Sequence, residues 1–187
     1  MSSRGYNPTR RPPGGFTLIE LLVVITIGGI LLAVALPAFS TFVLNERQSA
    51  QANSLAFTLE FARSEAIKQD NPKGIQVCVS SDGKTCTTGA WSQGWIVVPG
   101  GGGTSLLAVP ALSAGNTLTA VTGTTTAVTS MTFAPNGLLS PPASVKFTLC
   151  DRRKATSARY IELGQWGRLY ISPTPGVDPS GNALTCP

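Results

Sequence analysis

From Leu21 to Leu44 the chain carries 24 consecutive residues without a charged side chain. About 20 apolar residues, rising ~1.5 Å each, cover the ~30 Å hydrocarbon core of a bilayer, so this run is long enough to span one. Arg4, Arg10 and Arg11 precede it. Cationic residues on a short leading segment favour its retention in the cytoplasm, which places everything after Leu44 on the far side. The expected arrangement is a single span with the N-terminus inside.

A secretory signal has an apolar core of ~7 to 15 residues followed by a small-residue cleavage site. Here the run is longer, and the small pair Gly14-Gly15 comes before it. Cleavage after Gly15 would leave the apolar segment on the mature chain, with a new amine at Phe16 and Glu20 four residues beyond. A carboxylate within a membrane segment costs ~2.5–3.5 kcal/mol near the helix centre on insertion scales, less near its end, and signals a partner. The Phe16 amine, its own or a neighbouring subunit's, supplies the opposite charge.

The string Gly15-Phe16-Thr17-Leu18-Ile19-Glu20-Leu21-Leu22-Val23-Val24 resembles the class III signal of type IV prepilins and type II secretion pseudopilins. The resemblance implies cleavage between Gly15 and Phe16 by a prepilin peptidase and N-methylation of Phe16. It also implies that Glu20 pairs with a neighbour's N-terminus during filament assembly. Pro37 matches the helix-bending proline of pilins.

After removal of residues 1–15 the 14 basic residues fall to eleven against nine acidic ones, so overall charge argues little for nucleic acid. About 140 residues follow the span, enough for one globular domain with a modest core. Cys78, Cys86, Cys150 and Cys186 allow three pairings, and an oxidising compartment favours pairing over thiols. Sequence neighbours are the preferred partners. Cys78 with Cys86 brackets the turn-forming Ser80-Ser81-Asp82-Gly83, and Cys150 with Cys186 would pin the C-terminal tail. Zinc is the competing use, but the chain has no Cys-x-x-Cys and no histidine.

Beyond the span, Ala52, Leu55, Ala56, Leu59, Ala62, Ala66 and Ile67 recur at the spacing of one helical face. The helix is expected to continue to Gln69, with Glu60 and Arg63 pairing on its polar side and Asn71-Pro72 ending it. From Ile75 short β-prone runs alternate with Gly, Pro and Asn: 75–79, 94–98, 105–109, 130–133, 145–150, 159–163 and 167–171. They predict an antiparallel sheet whose apolar face packs on the exposed half of the helix.

Several strings are similar to the GspH/FimT family within the pilin-like group. They are Ala62-Arg63-Ser64-Glu65-Ala66-Ile67-Lys68, Val77-Cys78 with Asp82-Gly83 and Cys86, Gly94-Trp95-Ile96-Val97, Pro135-Asn136-Gly137, Leu149-Cys150-Asp151 and Gly167-Arg168. The resemblance implies an α+β, type IV pilin-like fold: a long N-terminal helix, half membrane-spanning and half amphipathic, packed on an antiparallel β-sheet domain. The expected parts are a leader over 1–15, an assembly helix over 16–44, its amphipathic continuation over 45–71 and a β-rich domain over 72–187. The implied location is the bacterial inner membrane with the domain in the periplasm, then a pilus or pseudopilus at the cell surface. Implied partners are a prepilin peptidase and other pilins.

Members of that family serve as minor pilins that prime or cap type IV pili, as DNA-binding subunits for natural transformation, or as minor pseudopilins of type II secretion. Lys146, Arg152, Arg153, Lys154, Arg159 and Arg168, interleaved with Tyr160, Trp166 and Tyr170, form a basic and aromatic patch, of which Arg152, Arg153, Lys154, Arg159, Arg168 and Tyr170 are the candidate contacts for double-stranded DNA, since Lys and Arg meet phosphates and rings stack on bases. The DNA-uptake branch carries a tail motif G-R-x-R. Here it reads Gly167-Arg168-Leu169-Tyr170, with tyrosine where the second arginine would stand. The absence of histidine removes Ser-His and Cys-His designs and most catalytic metal sites, and leaves a Ser-Lys dyad as the remaining nucleophilic option. Asp151 and Glu162 lie on separate predicted elements. The chain is thus expected to be no enzyme, with no cofactor, metal or small-molecule substrate.

Overall fold

The computed structural model describes residues 15–187. Helix α1 runs from Leu18 to Gln69, and Thr17 begins it: the Glu20 amide donates to Thr17 Oγ1 at 3.2 Å. Thr17 and Glu20 have the Thr-x-x-Glu spacing of a capping box, in which a side-chain oxygen satisfies an orphan N–H of the first turn. Pro37 lies within the helix and withholds one backbone donor, while Ser40 and Thr41 donate their hydroxyls to the Pro37 carbonyl. The chain divides into two units between Val43 and Leu44. In the first, none of the described residues 15–43 is buried, and they include a stretch long and apolar enough to cross a membrane.

In the second unit the helix buries Leu44, Gln48, Ala52, Leu55, Thr58, Leu59, Ala62 and Ala66, steps of three and four that trace one face. Ile67, expected on that face, is instead 53% exposed, and Ala56 is only half-buried. Asp70 at φ 47° takes the left-handed conformation that ends a helix.

Ten strands follow: β1 (Ile75–Val79), β2 (Gly94–Pro99), β3 (Leu107–Pro110), β4 (Thr117–Thr122), β5 (Thr126–Ala127), β6 (Ser130–Phe133), β7 (Leu139–Ser140), β8 (Val145–Cys150), β9 (Arg159–Leu163) and β10 (Leu169–Ile171). They form two sheets, in the orders β3-β2-β1-β6-β7 and β10-β9-β8-β4-β5, with every pairing antiparallel. The single sheet expected from sequence is therefore two. Strand β4, missed in the sequence, supplies the difference: six of its residues pair with β8, burying Leu118 and Ala120 between threonines that face outward or edge the strand.

One core joins the helix to both sheets. Ala52, Leu55, Leu59, Ala62 and Ala66 meet Ile75, Val77, Val97 and Phe133 from the first sheet and Phe147, Leu149, Ile161 and Leu163 from the second. Trp95 is fully buried and donates its indole N–H to Thr58 Oγ1 at 3.1 Å, so the one polar atom of each side chain satisfies the other. Trp91 sets its ring edge-on to Phe147 with centroids 5.4 Å apart.

Disulfides join Cys78 to Cys86 and Cys150 to Cys186. Within the first loop, the Asp82 carboxylate accepts from the Thr85 and Lys84 amides and from the Thr85 and Ser80 hydroxyls, which hold it far below the usual carboxylate range. The second disulfide seats the tail on the outer surface of the second sheet, where Leu184 packs with Cys150, Ala158 and Tyr160.

Candidate functional site

The residues expected to direct processing and assembly occupy the uncovered start of the chain. Gly14 and the leader's three arginines lie outside the described residues. Gly15 and Phe16 precede the helix and are exposed, and Glu20 stands in its first turn, where a carboxylate is favoured by the helix dipole. A helix whose apolar residues point outward on every side has no amphipathic face to lay on its own domain. Its stable surroundings are lipid or other helices of the same kind.

The six candidate DNA contacts are not gathered on one surface. Arg153 donates Nε and Nη2 to Asp151 Oδ2 at 2.9 and 2.7 Å, and Nη1 to Asn45 Oδ1 at 2.7 Å. Its guanidinium is engaged in holding the β8–β9 loop to the helix. Arg152 and Lys154, on either side, are exposed. Arg159 starts β9 opposite Leu149, half-buried, with its Nε out of contact with solvent. Tyr170 stands across from Glu162, which also faces Lys146 and accepts the Tyr160 hydroxyl at 2.8 Å. Burial, and then Glu162, push the Tyr160 hydroxyl well above the usual phenol range. Tyr170 is therefore set beside a carboxylate.

Arg168 belongs to the other end of the domain. It lies just before β10 in the turn that follows β9, where the Gly164 amide donates to its carbonyl at 2.8 Å. That turn is fixed by Arg63, for which helical spacing predicts a pair with Glu60. Arg63 donates Nε to the Gly137 carbonyl at 3.2 Å and Nη1 to the Gly167 carbonyl at 3.1 Å. It thereby binds the β6–β7 turn and the β9–β10 turn to the helix. Both glycines have left-handed φ, 75° and 72°, and a Cβ on Gly167 would come within 2.6 Å of the Gly137 carbonyl oxygen. Asn45 and Arg63 are 18 residues apart on one helix, about 27 Å along its axis. Arg152 and Lys154 attend the first position and Arg168 the second, so a cluster that is continuous in sequence is split by the length of the β9 hairpin.

The Arg63 clamp gives a measurable expectation. Replacing Arg63 by Met removes two charge-assisted bonds to half-buried carbonyls and is expected to cost about 2 kcal/mol. A urea titration of the detergent-solubilised chain should show a lower midpoint at unchanged slope. Loss of less than about 0.5 kcal/mol would mean that the turns hold themselves.

Residues 51–167 match the family model described as type II transport protein GspH, a span that takes in most of α1's second half and every strand but β10. The chain belongs to the GspH family. Residues 10–36 match a second model, the prokaryotic N-terminal methylation motif, over the cleavage junction and the start of the apolar helix. Two crystal structures of the Pseudomonas aeruginosa type IV minor pilin FimU are similar to this GspH-family chain. One superposes with a TM-score of 0.57 at 26% identity over 71% of this chain and 92% of FimU, the other with 0.51 at 28% identity over 67% and 92%. The type IV major fimbrial protein FimA of Dichelobacter nodosus is 42% identical over 60 residues. That match covers 32% of this chain and 37% of FimA's own length. The fold is accordingly the type IV pilin fold, with the long apolar helix leading into an antiparallel β domain.

Proposed function

We propose that this GspH-family chain is a minor pilin of a type IV pilus that primes assembly or sits at the filament tip. The carrying observation is the uncovered apolar helix with one carboxylate a single turn from its start. Prepilin peptidase cuts between Gly15 and Phe16, and the Phe16 amine is methylated. The span holds the subunit in the inner membrane with its domain on the periplasmic side. On assembly the stripe from Phe16 to Leu44 moves from lipid to the helices of neighbouring pilins, and Glu20 meets an adjacent amine. The role is structural and requires no reaction at the domain.

Similarity to FimU over 92% of that minor pilin supports a pilus over a secretion pseudopilus. A DNA-receptor role has less support, because Arg153 is engaged with Asp151 and Arg168 stands far from Arg152 and Lys154. A clean deletion scored in parallel for surface pili, DNA uptake and protein secretion separates the three. Loss of pili alone, or of pili with the uptake that depends on them, is expected. Full piliation with lost secretion would overturn the proposal.

A further inference from the structure

We propose that Arg152 and Lys154, with Arg47, form a binding site for anionic phospholipid headgroups at the level where α1 leaves the bilayer. The inference rests on the membrane-inserted reading above, and names a contact which that reading leaves open.

The level is set by hydrogen bonds on one short stretch of helix. Leu44 closes the uncharged run, and Asn45 is the first polar residue after it. The Arg153 guanidinium bonds Asn45 Oδ1 at 2.7 Å, and Gln48 Nε2 donates to the Leu149 carbonyl at 3.4 Å. Whatever the angle at which the helix leaves the membrane, the β8–β9 loop is within about one side-chain length of the end of the span. Headgroups occupy that level, since they flank the ~30 Å hydrocarbon core on both sides.

Charge decides which headgroups fit. Arg153 is matched by Asp151, so the exposed loop cations are Arg152 and Lys154. Neither forms an ion pair among the described residues. Arg47, half-exposed, sits two residues past Asn45 and about 200° round the helix, so cations border the exit on two sides. Of the acids nearby, Glu46 is exposed, Asp151 is already neutralised by Arg153, and Asp178, in the loop that packs on residues 155–158 through Gly176, has its carboxylate taken up by the Ser180 and Asn182 amides and the Asn182 side chain. Arg168 plays no part, because the ~27 Å separating Asn45 from Arg63 exceeds the ~10 Å over which salt leaves charge effective. Each basic side chain near an anionic leaflet gains about 1 kcal/mol, which is about fivefold in occupancy.

The test places the full chain in nanodiscs of phosphatidylcholine alone and of phosphatidylcholine with phosphatidylglycerol, and follows amide exchange by mass spectrometry. With phosphatidylglycerol, exchange over residues 152–157 is expected to slow about fivefold or more relative to phosphatidylcholine alone. Arg152→Glu with Lys154→Glu, both on exposed side chains, is expected to abolish the difference, and Arg168→Glu to leave it intact. Equal exchange of the loop in the two lipids, with residues 21–44 protected in both, would overturn the headgroup site while sparing the inserted helix. Ready exchange across 21–44 would overturn insertion, and the site with it. Equal sensitivity to Arg168→Glu, or the same loop protection by duplex DNA in discs lacking phosphatidylglycerol, would also overturn it.

Discussion

A Glu20→Leu chain is expected to be inserted and cleaved like the parent, yet to enter filaments about a hundredfold less. The expected factor follows from the ~2.5–3.5 kcal/mol attached to a carboxylate in a membrane segment, which a partner amine must offset in the assembled state for the residue to be useful. Leucine removes both the cost and the attraction, so the helix gains affinity for lipid and loses its preference for a neighbour's N-terminus. Glu20 also occupies the third helical position after Thr17, where a carboxylate or an amide can complete the capping box. Glu20→Gln separates the two roles, because glutamine keeps the cap and loses the charge. If charge directs assembly, Gln and Leu fail alike. Immunoblots of sheared filaments against the membrane fraction give the measurement, with leader removal read from gel mobility. Wild-type incorporation of both variants would sink the proposed contact, and incorporation restored by Gln alone would reduce Glu20 to a helix cap.

The sequence carried its local structure well and its long-range structure poorly, for reasons visible in particular residues. The runs at 75–79, 130–133, 145–150 and 159–163 coincide with strands because each places apolar side chains in the core at alternate positions, as Val145, Phe147 and Leu149 do in β8. Strand β4 carries a weak signal because its buried side chains are just Leu118 and a small alanine among threonines. The second sheet depends on that strand, whose pairing with β8 joins residues about 30 apart and so leaves no local signal. Strand β10 begins two residues later than expected, because Gly167 is spent on the turn.

The site divides in the same way. A run of apolar residues is a property of sequence alone, so Gly15, Phe16, Glu20 and Pro37 could be picked out directly. The partners of Arg63 lie 74 and 104 positions away, and that of Arg153 on the helix 108 away. Helical spacing offered Glu60 for Arg63, but the two glycine turns present carbonyls that a guanidinium fork can take together. Signals were present in retrospect. Asp151 is the acid beside an otherwise basic string, and Pro135-Asn136-Gly137 is a turn-forming string whose glycine amide closes onto the Ala134 carbonyl.

Arg153→Met is the second change with a large expected effect, about 3–4 kcal/mol of lost stability. The Asp151 side chain is inaccessible to solvent and Arg153 supplies two of its hydrogen bonds, with the Arg153 amide giving a third at 2.8 Å. Removing one member of such a pair strands the other charge without compensation, which costs far more than the pair contributes net. Neutralising the survivor should therefore repair much of the damage: Asp151→Asn in the Arg153→Met background is expected to recover about 2 kcal/mol. A cation used only to meet phosphate would behave otherwise, since a solvated surface arginine contributes within about 0.5 kcal/mol. Urea unfolding of the two single variants and the double variant, compared as a thermodynamic cycle, tells these apart. Near-additive losses, or an Arg153→Met cost below about 1 kcal/mol, would release Arg153 from the loop and return it to the exposed cations beside it. A coupling of about 2 kcal/mol would make Arg153 the strut that holds Arg152 and Lys154 at the foot of the domain, where the helix enters it.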